Sequence, residues 1–250
     1  MDYSNLVSQD DAVFAFVQAR MGSKRLPGKS MKLLAGKPVL AWVVERASLI
    51  HPNVETIVLT GPLPENTPIK NWCESSHVKC FTGSEDDVLG RFTSAAEYYS
   101  ARTIIRLTAD NPLFDYDLAC RLLVSHLLQG SDYSSSKEEF GSRLPIGVGV
   151  EIIGHKILKF INSMELDCNY REHLNEIILA APENFNCMLI EEFNCMLIEE
   201  FGDYSCYNFT LDTLEDYARI EQWITKVIPD KTGDATYWRK VLGYLGGIDS

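Results

Sequence analysis

Four short apolar runs recur through the first half of the chain, and a helical pattern separates each from the next. AVFAFVQ (12–18), VETIVLT (54–60), VKCF (78–81) and TIIRLT (103–108) read as strands, being short and rich in β-formers. PVLAWVVERASLI (38–50), residues 69–76 and residues 86–100 read as the intervening helices, with Pro38 suited to a first helical position. In the last of these, Val88, Leu89, Phe92, Ala95 and Ala96 fall on one side. Residues 115–129 extend the rhythm with another helix. This alternation restricts the fold to an α/β class: a Rossmann-like, mostly parallel sheet with helices on both faces. Ligands of such sheets bind beyond the carboxyl ends of the strands. Loops 19–30 and 108–115 both follow predicted strands directly, so the fold brings them to one edge.

The second half is less regular. DYSSSKEEFGSRLPIG (132–147) is polar and contains Gly and Pro, and reads as a mobile loop able to act as a lid. GVGVEII (147–153) reads as a strand, and YREHLNEIILA (170–180), residues 213–228 and residues 236–245 as helices. FNCMLIEE occurs at 185–192 and again at 193–200. An eight-residue shift preserves strand parity but rotates a helical face by about 80°. A tandem duplication absorbed as a lengthened hairpin or loop is therefore expected. No composition break divides the chain, so 1–250 is expected to be a single domain.

Composition narrows the function. The 250 residues are 46% hydrophobic and 23% charged, a soluble globular profile. No apolar run approaches the ~18–20 residues that cross a bilayer, and MDYSNLVSQDD lacks the basic start and apolar stretch of a signal. A cytoplasmic protein without membrane association is expected. The net charge of −12 disfavours nucleic-acid wrapping. Seven cysteines without a C-x-x-C pair argue for reduced, mostly buried thiols.

Against that acidic background, residues 20–46 carry seven basic side chains and one acidic one. Arg20, Lys24, Arg25 and Lys29 crowd the loop after the first strand, where a polyanion would be drawn. Gly22 and Gly28 let backbone N–H groups approach a phosphate, which Arg clamps bidentately and Lys meets as a point charge. The loop is no Walker A motif, because five residues separate these glycines where that motif has four. On physics alone a solvated basic loop is the alternative. Asp110 ends the fourth predicted strand, where a metal-bound triphosphate would reach it. Mg2+ prefers one or two carboxylates plus phosphate oxygens and waters; a turn-forming or capping aspartate is the competing reading.

QARMGSKRLPGKSMKLLAGKPVL, with its A-R-x-x-S-x-R-L-P-G-K pattern, closely resembles the opening of cytidylyltransferases that activate acidic sugars. The nearest resemblance is to the spore coat polysaccharide biosynthesis protein F branch; CMP-sialic acid and CMP-3-deoxy-octulosonate synthetases are more distant. R-x-T-A-D-x-P-L-x-D around Asp110, TLDTLED around Asp212 and GSEDDVLGRF (83–92) resemble later motifs in order. The resemblance runs from about Val13 to Glu221. It implies a nucleotidyltransferase, with a nucleotide-binding half at about 12–130 and an acceptor-binding and dimerisation half at about 131–225.

By carry-over, Arg20, Ser23, Arg25 and Lys29 are phosphate ligands, and Ala19 lies near the base. Gly22, Ser84 and Arg91 join the nucleotide site. Asp110 and Asp212 hold Mg2+. Arg20, Arg25, Lys29 and Asp110 carry the catalysis. PIGVGVEII and YREH resemble acceptor segments, making Glu151, Arg171, Glu172 and His173 candidates, with Arg143 in the long loop. Gly147-Val148-Gly149 departs from the family pattern, which carries an aspartate there. Asp115 is expected to cap the next helix, as Glu85, Asp86 and Asp87 are expected to cap theirs. Asp216 is expected to supply first-turn helix charge. The partners expected are CTP, a small acidic acceptor and a second copy of the chain. A CTP-dependent enzyme acting on a phosphonate or phosphorylated alcohol, and a non-catalytic nucleotide-binding protein, are the rival readings.

Overall fold

The computed structural model describes residues 3, 5–137, 141–172, 175–180, 185, 187–189, 203–227 and 234–246. In chain order its strands are β1 (Val13–Gln18), β2 (Leu33–Leu34), β3 (Lys37–Pro38), β4 (Glu55–Thr60), β5 (Lys79–Thr82) and β6 (Thr103–Thr108). Three more follow: β7 (Tyr133–Ser135), β8 (Glu151–Gly154) and β9 (Cys187–Leu189). The helices are α1 (Val39–Ala47), α2 (Thr67–Ser75), α3 (Val88–Tyr98), α4 (Tyr116–Gln129) and α5 (His155–Asn162). α6 (Cys168–Glu172), α7 (Glu176–Ala180), α8 (Leu214–Val227) and α9 (Tyr237–Tyr244) complete the set among the described residues.

Seven strands form one sheet in the order β5-β4-β1-β6-β8-β7-β9. β5, β4, β1 and β6 are parallel, with Val17 registered between Val58 and Leu107. β8 runs against them and sets Glu151 opposite Arg106; β7 and β9 then run parallel to each other. The chain steps outward from β1 through β4 to β5, and α3 returns it to β6 on the other side of β1. That reversal opens a crevice beyond the carboxyl ends of β1 and β6, where sheets of this kind hold ligands.

β1 is apolar from Val13 to Val17 because both of its faces are covered, and ends in Gln18 at the crevice. Ala15 and Val17 pack with Leu40 and Val43 of α1, Ile69 of α2 and Leu122 of α4. Phe16, on the opposite face, packs with Leu89 and Phe92 of α3 and Leu158 of α5. A third cluster joins α8 and α9 to α1 and the loop after β6 through Trp42, Leu113, Phe209, Trp223 and Trp238. Arg46 belongs to this region rather than to the basic loop. It is buried, its Nε donates to the Phe114 carbonyl at 2.8 Å, and its Nη1 donates to the Asp234 carbonyl at 2.8 Å.

Asp87 and Asp115 cap as expected, whereas Glu85 does not and accepts from Asn66 Nδ2 instead. The Asp87 carboxylate accepts from the Gly90 amide at 2.8 Å at the head of α3. Asp115 accepts from the Leu118 amide at 3.0 Å at the head of α4, and from Trp238 Nε1 at 2.9 Å. Pro38 precedes the first helical residue rather than supplying it.

Three expectations are corrected. Residues 132–137 are not part of a lid: Tyr133–Ser135 form an interior strand, and Ser134, Ser135 and Ser136 are buried. Their hydroxyls are satisfied inside the protein, Ser134 Oγ by His126 Nδ1 at 2.8 Å and Ser136 Oγ by the Val150 amide at 2.9 Å. A serine run that reads as a linker thus serves as sheet. The predicted strand at 147–153 begins only at Glu151 and runs to Gly154. The predicted helix at 170–180 is two short helices. The hairpin β2–β3, turning at Ala35 and Gly36, was not anticipated. Of the duplicated octapeptide, the first copy supplies β9; the second, 193–200, lies outside the described residues.

Candidate active site

The crevice is a cavity of about 350 Å3, lined by Gln18, Arg20, Ser23, Lys24, Arg25, Lys29, Ser30, Thr108, Ala109, Asp110, Glu172 and Asp212. Short backbone links set its walls. The Ala19 amide donates to the Leu59 carbonyl and the Ala109 amide to the Gln18 carbonyl, each at 2.9 Å. They dock the loops after β1 and β6 side by side. The basic loop then folds back on itself: the Gly28 amide donates to the Met21 carbonyl at 3.0 Å. Gly28 turns with φ +69°, a conformation glycine adopts without steric cost, and it starts the short 3-10 turn Lys29–Met31. Leu26, buried in the third cluster, anchors the middle of the loop.

Lys29 is thereby carried to the floor. Its Nζ donates to Asp110 Oδ2 at 2.6 Å and to Asp212 Oδ1 at 2.9 Å. Asp110 arrives at the end of β6, and the Leu211 amide donates to the Asp110 carbonyl at 2.8 Å, which sets Asp212 alongside. Asp212 is free of capping duty. Thr213 and Asp216 form a reciprocal capping box at the head of α8: each amide donates to the other's side chain, at 2.9 and 3.1 Å. Arg25 approaches Asp212 Oδ2 from solvent at 3.0 Å, and Arg20 pairs with Glu172 at 3.0 Å.

Burial opposes the charge on Asp110, but the Lys29 ammonium and a hydrogen bond from Thr108 outweigh it and hold the carboxyl below its usual range. Burial likewise opposes the Lys29 charge, and the two carboxylates more than reverse that, raising its pKa. The ammonium acts as a stand-in ion. It shows that the two carboxylates converge on one positive centre, a donor set that suits a divalent cation with phosphate oxygens. Among the described residues no group of three or more Asp, Glu, His or Cys gathers to hold a metal by itself. The residues therefore fit Mg2+ held jointly with phosphate.

Arg20, Ser23, Arg25, Lys29, Asp110, Asp212 and Glu172 converge here, and Gly22 lies on an adjoining lobe; Ala19 is buried beside the cavity and does not line it. The remaining candidates do not join them. Arg91 is 1% exposed; it lies beneath the loop after β5, donating to the Ser84 and Glu85 carbonyls, and burial pulls its pKa down to about 10. Ser84 accepts from the Asp87 amide at 3.1 Å, a local turn contact.

Glu151 is 2% exposed, bonded to Arg106, and accepts from Tyr133 Oη at 2.6 Å. It is a buried counter-ion that does not line the main cavity, only a small neighbouring one shared with Arg106, Thr108 and Lys137. Arg171 is committed to Asp87 through Nε at 3.0 Å and Nη2 at 2.6 Å, and to Asn162 at 2.8 Å. Arg143 is exposed and lines none of the cavity. His173 lies outside the described residues. The Gly147-Val148-Gly149 departure has a structural reason. A Cβ on Gly149 would overlap the Ser136 carbonyl, and one on Gly147 would crowd Thr210 Oγ1 at 2.7 Å.

Sequence reasoning missed Gln18, Thr108 and Asn66. Gln18 and Thr108 end the two central strands, a position that marks them once the sheet is known. Asn66 is fully buried, accepts from the Met21 amide at 2.9 Å and donates to the Pro62 carbonyl at 3.1 Å and to Glu85 Oε2 at 2.9 Å. It ties together the loops after β1, β4 and β5, and no local sequence signal announces it.

The profile of a protein family described as Cytidylyltransferase matches residues 14–226. The spore coat polysaccharide biosynthesis protein SpsF of Bacillus subtilis is 30% identical over 217 residues, covering 85% of each chain. A solved cytidylyltransferase from Leptospira borgpetersenii shares 25% identity at a TM-score of 0.81, covering 94% of this chain and 95% of that one. A CMP:2-keto-3-deoxy-manno-octonic acid synthetase complexed with CTP shares the fold, with a TM-score of 0.61 and 16% identity over 86% and 98% of the two chains.

Proposed function

Because the chain belongs to the cytidylyltransferase family and is a nucleotidyltransferase, we propose that it transfers CMP from CTP to a hydroxyl of an acidic sugar. Pyrophosphate is released, and the product serves the synthesis of a surface polysaccharide or glycoconjugate. The observation that carries this reading is the Lys29 ammonium bridging Asp110 and Asp212 beneath a loop bearing Arg20, Lys24 and Arg25.

The acceptor oxygen forms a bond to the α-phosphorus, the bond to the bridging oxygen of the β-phosphate breaks, and the hydroxyl proton passes to water. Such chemistry needs in-line positioning and neutralisation of charge more than covalent help. Lys24, Arg25 and Lys29 gather the phosphate oxygens and neutralise the departing pyrophosphate. Asp110 and Asp212 would hold Mg2+, which when bound acts as Lewis acid and template on the phosphates. Arg20 already holds a carboxylate, that of Glu172, at the cavity edge. That habit of pairing supports an acidic acceptor, which would exchange with Glu172. The spore coat polysaccharide biosynthesis for which the SpsF relative is named supports the pathway class.

The test is pyrophosphate release from each of the four NTPs with Mg2+ across a panel of acidic sugars and phosphonates. Release with CTP and an acidic sugar is expected. Release with a phosphonate alone would replace the acceptor class, and CTP binding without release across the panel would overturn the catalytic reading.

A further inference from the structure

The cavity does not end at Arg20. A second lobe of about 410 Å3 opens beyond it, sharing Arg20, Lys24 and Glu172, and is lined also by Gly22, Pro62, Glu65, Glu85 and Asp86. Its character is opposite to that of the main cavity. Apart from the shared Arg20 and Lys24 at its border, its charged side chains are carboxylates. A polyphosphate is therefore repelled from it, while a ligand part that presents N–H or O–H donors is welcome.

The Glu85 carboxylate lies in the neck between two glycines. A Cβ on Gly22 would stand 3.0 Å from Oε1, and one on Gly61 would overlap Oε2. Oε2 is taken by Asn66 Nδ2 at 2.9 Å. The orientation of that amide is set by its other end, where the Met21 backbone N–H must donate to Asn66 Oδ1. Among the described residues no hydrogen bond takes Oε1, which lies on the side of Gly22, where both residues line the lobe.

Resting on the CTP reading above, we infer that Glu85 is a specificity-determining residue, its Oε1 accepting from the exocyclic amino group of cytosine. Uracil places a carbonyl oxygen at that position, and two acceptors facing each other exclude it. Asn66 is the positioning residue that turns Glu85 to this task. The arrangement makes an unusual demand on the isostere Glu85→Gln. Asn66 Nδ2 needs an acceptor, so the new amide must offer its oxygen to Asn66 and its NH2 to the lobe. The substituted site then presents a donor, which suits uracil.

The experiment is calorimetric titration of the wild type, Glu85→Gln and Glu85→Ala with CTP and with UTP, each with Mg2+ and without acceptor. Thermal unfolding and circular dichroism confirm that each variant is folded. The wild type is expected to prefer CTP by about 30-fold or more, the scale of a site that leaves a polar group unpaired with the wrong ligand. Glu85→Gln is expected to erase or invert that preference, and Glu85→Ala to weaken CTP binding while leaving UTP binding within about twofold. Equal wild-type affinity for CTP and UTP, or an unchanged preference in folded Glu85→Gln, would overturn the role of Glu85 with the CTP reading intact. Failure of the wild type to bind CTP at all would overturn that reading itself, and with it the inference.

Discussion

Asp110 and Asp212 accept from one ammonium, that of Lys29, at 2.6 and 2.9 Å. The Lys29 side chain is 14% exposed and the two carboxylates 22% and 21%, so the triad is shielded but reachable. Lys29→Met keeps the aliphatic stem and removes the charge, leaving two carboxylates facing each other. Stability of the metal-free protein is expected to fall. The held-down pKa of Asp110 contributes stability above the usual carboxylate range and loses it as pH falls through the lowered value; without Lys29 that loss begins at higher pH. Urea unfolding between pH 3 and 6 reads the shift. Mg2+ is expected to raise the Tm of Lys29→Met more than that of the wild type, because no ammonium competes for the carboxylates.

Turnover is expected to fall about 10²-fold or more in Arg25→Ala and in Asp110→Ala, as on loss of one group that stabilises developing charge. The measurement is pyrophosphate release under saturating CTP. Near-wild-type turnover in either variant would remove that residue from the mechanism.

Glu151 belongs to the frame. Burial would raise its pKa, but Arg106, Lys137 and Tyr133 together bring it down to about 2. A lowered pKa contributes stability that is present above the unfolded value near 4.5 and disappears as pH falls toward 2. The shift corresponds to about 3 kcal/mol. Glu151→Gln is expected to cost about 3–5 kcal/mol at neutral pH by leaving buried cations uncompensated. It should flatten the acid limb of stability and leave the KM for CTP unchanged in the folded fraction. A raised KM with unchanged stability would return Glu151 to the substrate site.

Gly147→Ala tests the brace behind Asp212. Gly147 has φ +86°, and a Cβ there would meet Thr210 Oγ1 at 2.7 Å and Asn111 Oδ1 at 2.9 Å. Thr210 Oγ1 donates to Asn111 Oδ1 at 2.9 Å, joining the strand-end turn to the segment that delivers Asp212. The left-handed conformation costs a non-glycine residue about 1–2 kcal/mol and overpacking about 1–3 kcal/mol more. Chemical unfolding should show that loss, and turnover should fall more than stability alone explains.

Much of this was legible in the residues. TIIRLT is a strand with the expected limits, and the neighbouring runs are strands within a residue or two, because the central parallel strands are covered on both faces and read as short, mostly apolar runs. The basic loop stands out because its charge is dense and local; Asp212 comes only from the resemblance of TLDTLED to a family motif. What escaped depended on partners distant in the chain. Tyr133–Ser135 is polar by composition yet interior, since Glu151 and His126 satisfy it. Arg171 and Glu172 are adjacent and look equivalent, but one is bound to Asp87 at the head of α3 and the other faces the cavity. Asn66 is one polar residue among many until three loops close around it.

The bond from the Leu211 amide to the Asp110 carbonyl also has a consequence for the order of events during synthesis. A chain elongated as far as β6 already carries the basic loop and Asp110. It lacks the second carboxylate until residue 212, more than a hundred positions later, has left the ribosome. The positive charge of the site is thus encoded well before its second carboxylate. On the proposed reading, the metal-holding pair is a late product of the chain, although its basic loop is an early one.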